Sequence, residues 1–294
     1  MALFPVLSLL AAAVQAAGPQ AAGEAGQCVP LALSADYRPA VTVEIEGFGP
    51  ARFLIDTGAS NTALARSVVE ALNAQDVTAR EVITLTELFA TGTVDVSLSV
   101  FPGEAREVEA VIVESDLEES STILGLLGAD FFSGDTIDMD FSRGALCITD
   151  ALTAPRDGTR HELSRVLIAN ASLYHFNRPV RVLVDTGATR SVANSRLAEL
   201  YASVRQSGWP VSLGGVASRI DRTDDYARLN EFEMGGTCVR RLLLPVADVY
   251  VFEAMGWQDE PAMIMGMDLL QFTDFVIDYD SGDFQITGRD ALAC

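Results

Sequence analysis

Apolar and polar positions alternate along most of this chain with the period of a β-strand. Val41 to Glu46 alternates in this way and reads as a strand, Gly47-Phe48-Gly49-Pro50 supplies a turn, and Arg52 to Ile55 forms a second strand running into Asp56. Asn61 to Leu64 follows, then a short helix is expected over Ser67 to Asn73. From Val77 to Val113 the pattern is strand-like again, broken by the turn pair Pro102-Gly103. An acidic loop, Glu114 to Thr122, leads to Leu126–Phe132 and then to a hairpin turning near Arg143-Gly144. Residues 151–162 are polar, carry Pro155 and Gly158, and read as a linker.

Beyond that linker the order repeats. Val166 to Ala171 reads as a strand, Asn177-Arg178-Pro179 as a turn, Val180 to Val184 as a strand into Asp185, and Ser195 to Ser203 as a helix. A Gly-rich loop at Leu213-Gly214-Gly215-Val216 and further strands lead to Ile264–Leu270 and a closing hairpin. The ends of the two halves align without a gap. Gly128 matches Gly266, Asp130 matches Asp268, Asp140 matches Asp278, and Gly144 matches Gly282. Faithful ends with variable middles indicate duplication of one β-rich unit, too long to be a solenoid repeat. The expected organisation is a loose N-terminus over 1–26, one unit over 27–150, the linker, and a second unit over 163–294.

The composition limits partners and compartment. Hydrophobic residues make up 49% of the 294, enough for a sizeable core, and the formal charge of −21 repels nucleic acid and anionic membranes. Residues Ala2 to Ala17 are apolar but shorter than a membrane span, and Val14-Gln15-Ala16 has the small residues of a cleavage site. A secretory signal peptide is the expectation, with an uncleaved anchor as the alternative, which places the mature protein in the periplasm or outside the cell. Four cysteines, Cys28, Cys147, Cys238 and Cys294, permit two disulfides. Cys238 with Cys294 is the pairing expected from their shared half, and free buried thiols are the alternative. No cysteine pair has zinc-site spacing, and His161 and His175 add none.

The chemistry is concentrated in FLIDTGAS, Phe53 to Ser60, and VLVDTGAT, Val182 to Thr189. Each is an apolar run that delivers an aspartate, Asp56 or Asp185, from a core into a tight turn. Gly58 and Gly187 permit the turn geometry. Thr57 and Thr186 can bond backbone groups of the opposite turn, and Ser60 and Thr189 can donate to the carboxylates. If the halves pack about a pseudo-two-fold axis, the carboxyls meet. Two like charges that close cannot both ionise, so the pair holds one proton. The charged member can act as base on a water while the protonated member bonds a carbonyl. This scheme needs no metal, cofactor or nucleophilic side chain, and neither histidine lies near a motif serine or cysteine.

On these residues the chain resembles the aspartic proteases, most closely two bacterial retropepsin-like units in tandem. The resemblance rests on Asp56-Thr57-Gly58-Ala59-Ser60 and Asp185-Thr186-Gly187-Ala188-Thr189. Each is followed by the family's second signature, here Leu126-Leu127-Gly128 and Ile264-Met265-Gly266. It covers roughly Val41 to Ile148 and Val166 to Ile286. The shared proton is a known property of such dyads and is not read from the spacing. The resemblance implies an all-β fold of two pseudo-symmetric β-barrel lobes with short helices and a cleft between them. It implies an aspartic endopeptidase with Asp56 and Asp185 catalytic, acting on peptides or proteins as a monomer whose lobes pair within one chain.

It also implies a flap, a hairpin that closes over substrate, for which Ala90-Thr91-Gly92 and Gly214-Gly215 are the candidates. Arg190, where the first half has Asn61, is a candidate pocket residue favouring acidic or polar side chains, or else a plain exposed arginine. Asp130, Asp268, Asp140 and Asp278 fit structural roles in turns, and Trp209 and Trp257 fit core or rim positions. Two readings compete with the intramolecular protease. One is an exported peptide-binding or adaptor module without turnover, and the other an enzyme in which each half pairs with another chain.

Overall fold

The computed structural model describes residues 27–74, 78–113, 123–149, 159–160, 166–173, 178–213, 221–234 and 237–288. The expected signal segment, most of the linker, the acidic loop, His161, His175, Gly214, Gly215 and Cys294 lie outside the described residues. In the first half the strands are β1 Cys28–Pro30, β2 Ala32–Leu33, β3 Pro39–Ile45, β4 Gly49–Ile55 and β5 Ala63–Ala65. After helix α1, Arg66–Ala71, come β6 Thr78–Ile83, β7 Leu88–Ser99, β8 Ala105–Val113, β9 Ile123–Leu127, β10 Thr136–Asp140 and β11 Ala145–Thr149.

The second half opens with β12 Thr159–Arg160, β13 Leu167–Leu173, β14 Arg178–Val184 and β15 Val192–Ala193. Helix α2, Ser195–Tyr201, precedes β16 Val204–Leu213, β17 Asp221–Met234 and β18 Thr237–Pro245. Then follow α3 Tyr250–Ala254, β19 Ala262–Met265, α4 Met267–Leu270, β20 Thr273–Asp278 and β21 Asp283–Gly288.

Each half closes into a ring of six strands. In the first the order is β3-β4-β9-β5-β8-β7, with β7 pairing back onto β3. In the second, β13-β14-β19-β15 and β18-β17 follow the same order, joined by the Ala193–Val246 bridge and by Ser172 opposite Glu233. Closure removes free strand edges from the ring and lets it enclose a core. Strand β3 shows how the alternation works: Val41, Val43 and Ile45 are buried while Thr42 and Glu44 are exposed. Strands β9 and β19 run parallel to β4 and β14. They are apolar on both faces, as strands covered on both sides must be.

A third sheet joins the halves. Its order is β1-β11-β10-β20-β21, and the duplicated hairpins β10–β11 and β20–β21 lie side by side, with Ile137 opposite Ile277. The turns of these hairpins carry the matched residues Asp140 and Asp278. Asp140 accepts from Arg143 N at 2.7 Å and Asp278 from Ser281 N at 3.1 Å. Gly144 and Gly282 both have positive φ, 63° and 74°. Phe132 stacks on Tyr279 beneath this sheet, linking the cores of the two halves.

The disulfide of the first half joins Cys28 to Cys147, directly opposite each other in β1 and β11. It ties strands 119 residues apart, a loop worth about 5 kcal/mol on chain-entropy grounds. Cys238 is also disulfide-bonded, and no described cysteine is a free thiol. Two helices depart from the sequence expectation. The stretch before Pro261 reads as strand but forms α3, and Met267–Leu270 forms α4. Both are single-turn helices too short to display an apolar period. Trp257 is core, whereas Trp209 is 90% exposed on β16 and is no part of the core. Among the described residues no helix is long and apolar enough to cross a membrane.

Candidate active site

Strands β4 and β14 each end in Asp-Thr-Gly, and the two turns face one another. Asp56 N donates to Leu127 O and Asp185 N to Met265 O, both at 3.0 Å, so each aspartate is pinned by the parallel strand of the second signature. The threonines interlock. Thr57 Oγ1 donates to Val184 O and Thr186 Oγ1 to Ile55 O, both at 2.7 Å. Each hydroxyl in turn accepts from the opposite backbone: Thr57 N donates to Thr186 Oγ1 and Thr186 N to Thr57 Oγ1, both at 3.1 Å. Both side chains are buried, so the two hydroxyls, two amides and two carbonyls satisfy one another where water cannot reach.

The carboxyls sit above this interlock. Asp56 Oδ1 accepts from Gly58 N at 2.9 Å, and Asp185 Oδ1 accepts from Gly187 N at 2.8 Å and Ala188 N at 3.0 Å. Each glycine lies flat against the opposite carboxyl. A methyl group on Gly58 would fall 2.5–2.8 Å from the Asp185 carboxyl, and one on Gly187 would collide with that of Asp56. Any side chain at either position would drive the pair apart. The two carboxyls share a hydrogen bond.

Burial raises both pKa values, and Asp185 rises well above its ordinary range because the charge of Asp56 adds to the burial. Burial and the neighbouring charge thus both favour retention of a proton by the pair.

The second signatures thread behind these turns. Gly128 passes close to the Asn61 backbone and Gly266 to that of Arg190, where a Cβ would approach within 2.5 Å and 2.7 Å. The residues two places on, Asp130 and Asp268, brace the same segments. Asp130 Oδ1 accepts from Thr62 N and Thr62 Oγ1, both at 2.8 Å, and Asp268 Oδ1 from Ser191 N at 2.9 Å and Ser191 Oγ at 2.6 Å. Thr62 Oγ1 and Ser191 Oγ also accept from Gly128 N at 3.2 Å and Gly266 N at 3.0 Å. Thr62 and Ser191 hold equivalent places in the two halves, and only that equivalence could have singled them out in the sequence.

Other expected site residues are placed differently. Ser60 Oγ donates to Asn61 Oδ1 at 3.2 Å rather than to a carboxylate of the pair. Thr189 is exposed, and Arg190 is exposed too, as its alternative reading of a plain surface arginine has it. Gly92 belongs to the first-half hairpin but lies within β7, opposite Ala79, where the continuing ladder leaves no turn. The tip is Thr84–Glu87, closed by Thr84 N donating to Glu87 O at 2.9 Å. This hairpin reaches from one half to the other. Val82 packs on the first-half cluster that includes Ala59, and Leu85 packs on the second-half cluster that includes Ala188 and Phe252. Leu85 O accepts from Val251 N in α3 at 3.1 Å.

Residues 41–134 match the family model for gag-polyprotein aspartyl proteases, and residues 171–269 match that for aspartyl proteases. The chain belongs to the retropepsin-like aspartic proteases, with two units in tandem. Each match contains one Asp-Thr-Gly turn and its second signature, so the similarity covers the parts that build the paired site. No curated protein matches the chain.

Two outcomes follow from the interlock and the paired acids. Thr57→Val or Thr186→Val removes two bonds and strands buried backbone groups, and each should lower stability by about 2–4 kcal/mol in denaturant unfolding. The double variant removes all four bonds, and because the two residues are in direct contact its cost should depart from the sum of the two singles.

The pH dependence has a definite sign. Asp56 and Asp185, together with Asp130 and Asp268, have folded pKa values raised chiefly by burial. Their stabilising contribution is complete below the unfolded carboxylate value and is lost as pH rises through the raised folded values. Thermal scans should therefore show a higher midpoint near about pH 5 than near about pH 7.5, and Asp185→Asn should flatten that difference.

Proposed function

We propose that this protein is an exported aspartic endopeptidase that cleaves peptide bonds between its two lobes, working as a monomer. The observation that carries this reading is the contact of the two carboxyls over interlocked threonines, with a bare glycine against each acid. A binding protein gains nothing from holding two acids where burial penalises their charge. A hydrolase gains a base and an acid side by side.

The reaction follows from one shared proton. The ionised carboxyl takes a proton from a water while the protonated carboxyl donates to the peptide carbonyl oxygen. Water oxygen adds to the carbonyl carbon and yields a tetrahedral diol. The nitrogen then takes the proton that the base acquired from water, and a diol hydroxyl returns its proton to the other carboxyl. The C–N bond breaks, and the products are a carboxylic acid and an amine with one proton left on the pair. Backbone donors from Gly58, Gly187 and Ala188 keep both acids oriented throughout. The β6–β7 hairpin serves as the lid, its tip seated on the second lobe. Arg190 is the pocket residue that favours acidic or polar substrate side chains.

A proteome-derived peptide library incubated across a pH series tests this reading. Wild-type protein should cleave, while Asp56→Asn and Asp185→Asn should each lose at least about 10³-fold in kcat/KM with unfolding curves intact. Binding of library peptides without cleavage by the wild type would instead make the chain a peptide-binding module. In the same library Arg190→Ala should lose cleavage beside acidic residues. An unchanged profile removes Arg190 from the pocket.

A further inference from the structure

The two halves match closely at the dyad, but the residues facing the two acids differ. In the antiparallel pair β3–β4 the last bridge is Ala40 opposite Leu54, so the same register continued by two residues brings Arg38 across from Asp56. In β13–β14, Ile168 lies opposite Leu183, and the same continuation brings Val166 across from Asp185. Arg38 is only 7% exposed and Val166 only 4%. One carboxyl thus faces a buried cation and the other a buried valine.

The loop that presents Arg38 is built for the purpose. Arg38 Nε and Nη2 donate to Asp36 Oδ2 at 2.8 and 2.7 Å, Arg38 N donates to Ser34 Oγ at 3.0 Å, and Ser34 N donates to Arg38 O at 2.8 Å. Tyr37, between the ion-paired residues, is held at φ 68°, a conformation costly for a bulky side chain and kept only where its surroundings enforce it.

We propose that Arg38 is a positioning residue that makes the dyad unequal, holding the negative charge on Asp56 and leaving the shared proton on Asp185. Asp56 would then be the base toward water and Asp185 the acid toward the carbonyl. The charged groups facing Asp56 are Arg38 from the β2–β3 loop and Asp185 from the opposite turn, with Asp36 taking up part of the Arg38 charge. The pKa directions agree. Burial raises both acids. The Arg38 charge opposes the rise at Asp56, while at Asp185 the charge of Asp56 adds to it and the backbone donors of Ala188 and Gly187 oppose it. The chemical roles rest on the peptidase reading, whereas the inequality of the carboxyls does not.

The test is a carboxyl-carbon NMR titration of the full chain labelled at aspartate. Asp185→Asn leaves Asp56 to titrate alone, and Asp56→Asn leaves Asp185 to titrate alone. The lone Asp56 should titrate lower than the lone Asp185 by about one unit or more. Adding Arg38→Gln to the Asp185→Asn protein should raise Asp56 and close most of that gap, while Arg38→Lys should preserve it. Asp36→Asn in the same background, which keeps the guanidinium and removes its counter-charge, should lower Asp56. Equal values for the lone acids, or no response of Asp56 to Arg38→Gln, would overturn the proposal. Because the titration needs no turnover, an unequal pair in a protein that cleaves nothing would refute the peptidase reading and leave this inference standing.

Discussion

The reciprocal bonding of Thr57 and Thr186 is the constraint on which the site depends. Two buried hydroxyls and two buried amides, drawn from strands in different halves, have no water to turn to and satisfy one another. Each bond crosses the pseudo-two-fold axis, so the position of one turn dictates that of the other. Two acids that repel when ionised would otherwise drift apart. Here the backbone beneath them is locked, and the cheaper response is to retain a proton. A pKa shift is thus the electrostatic consequence of a hydrogen-bonding constraint.

The rest of the fold supplies the stiffness that this constraint needs. Two closed six-stranded rings present Asp56 and Asp185 at the ends of strands buried on both faces. The sheet formed by β10 and β20 joins the rings at another point. Asp130 and Asp268 add a further brace, each gripping the segment just past an Asp-Thr-Gly turn. These acids are also shifted upward by burial, yet they are saturated with donors from their own half. Paired acids in contact with each other and braced acids in contact with donors are the same residue type in opposite circumstances, and only the first kind can pass a proton directly between two carboxyls.

Duplication made the site symmetric, and divergence of the two copies then made it lopsided. The first-half hairpin carries Leu85 to the second half and seats it beside α3. Strand β16 of the second half exposes Trp209, where the first-half hairpin has no tryptophan. Arg38 and Val166 differ in the same manner beneath the acids. A chain holding both units can vary one copy alone, which two identical chains cannot do.

Much of this could be read directly from the sequence. Period-two alternation marks the strands because β side chains point to opposite faces, and the paired Asp-Thr-Gly turns mark the acids because few other reasons exist to repeat them. The threonine lock and the turn roles of Asp140 and Asp278 were legible for the same reason, since duplication sets equivalent residues side by side. Single-turn helices were not legible, being shorter than the period that would reveal them. The Ser60 bond, the hairpin tip at Thr84–Glu87 and the Cys28–Cys147 pairing depend on which groups lie nearest in space. So does the placing of Arg38 opposite Asp56, where strand register brings together residues that no local pattern connects. Sequence alone therefore determined most of the strands and which acids are doubled. Tertiary structure decided which groups face them, because proximity across a ring of strands is set by closure and register rather than by local preference.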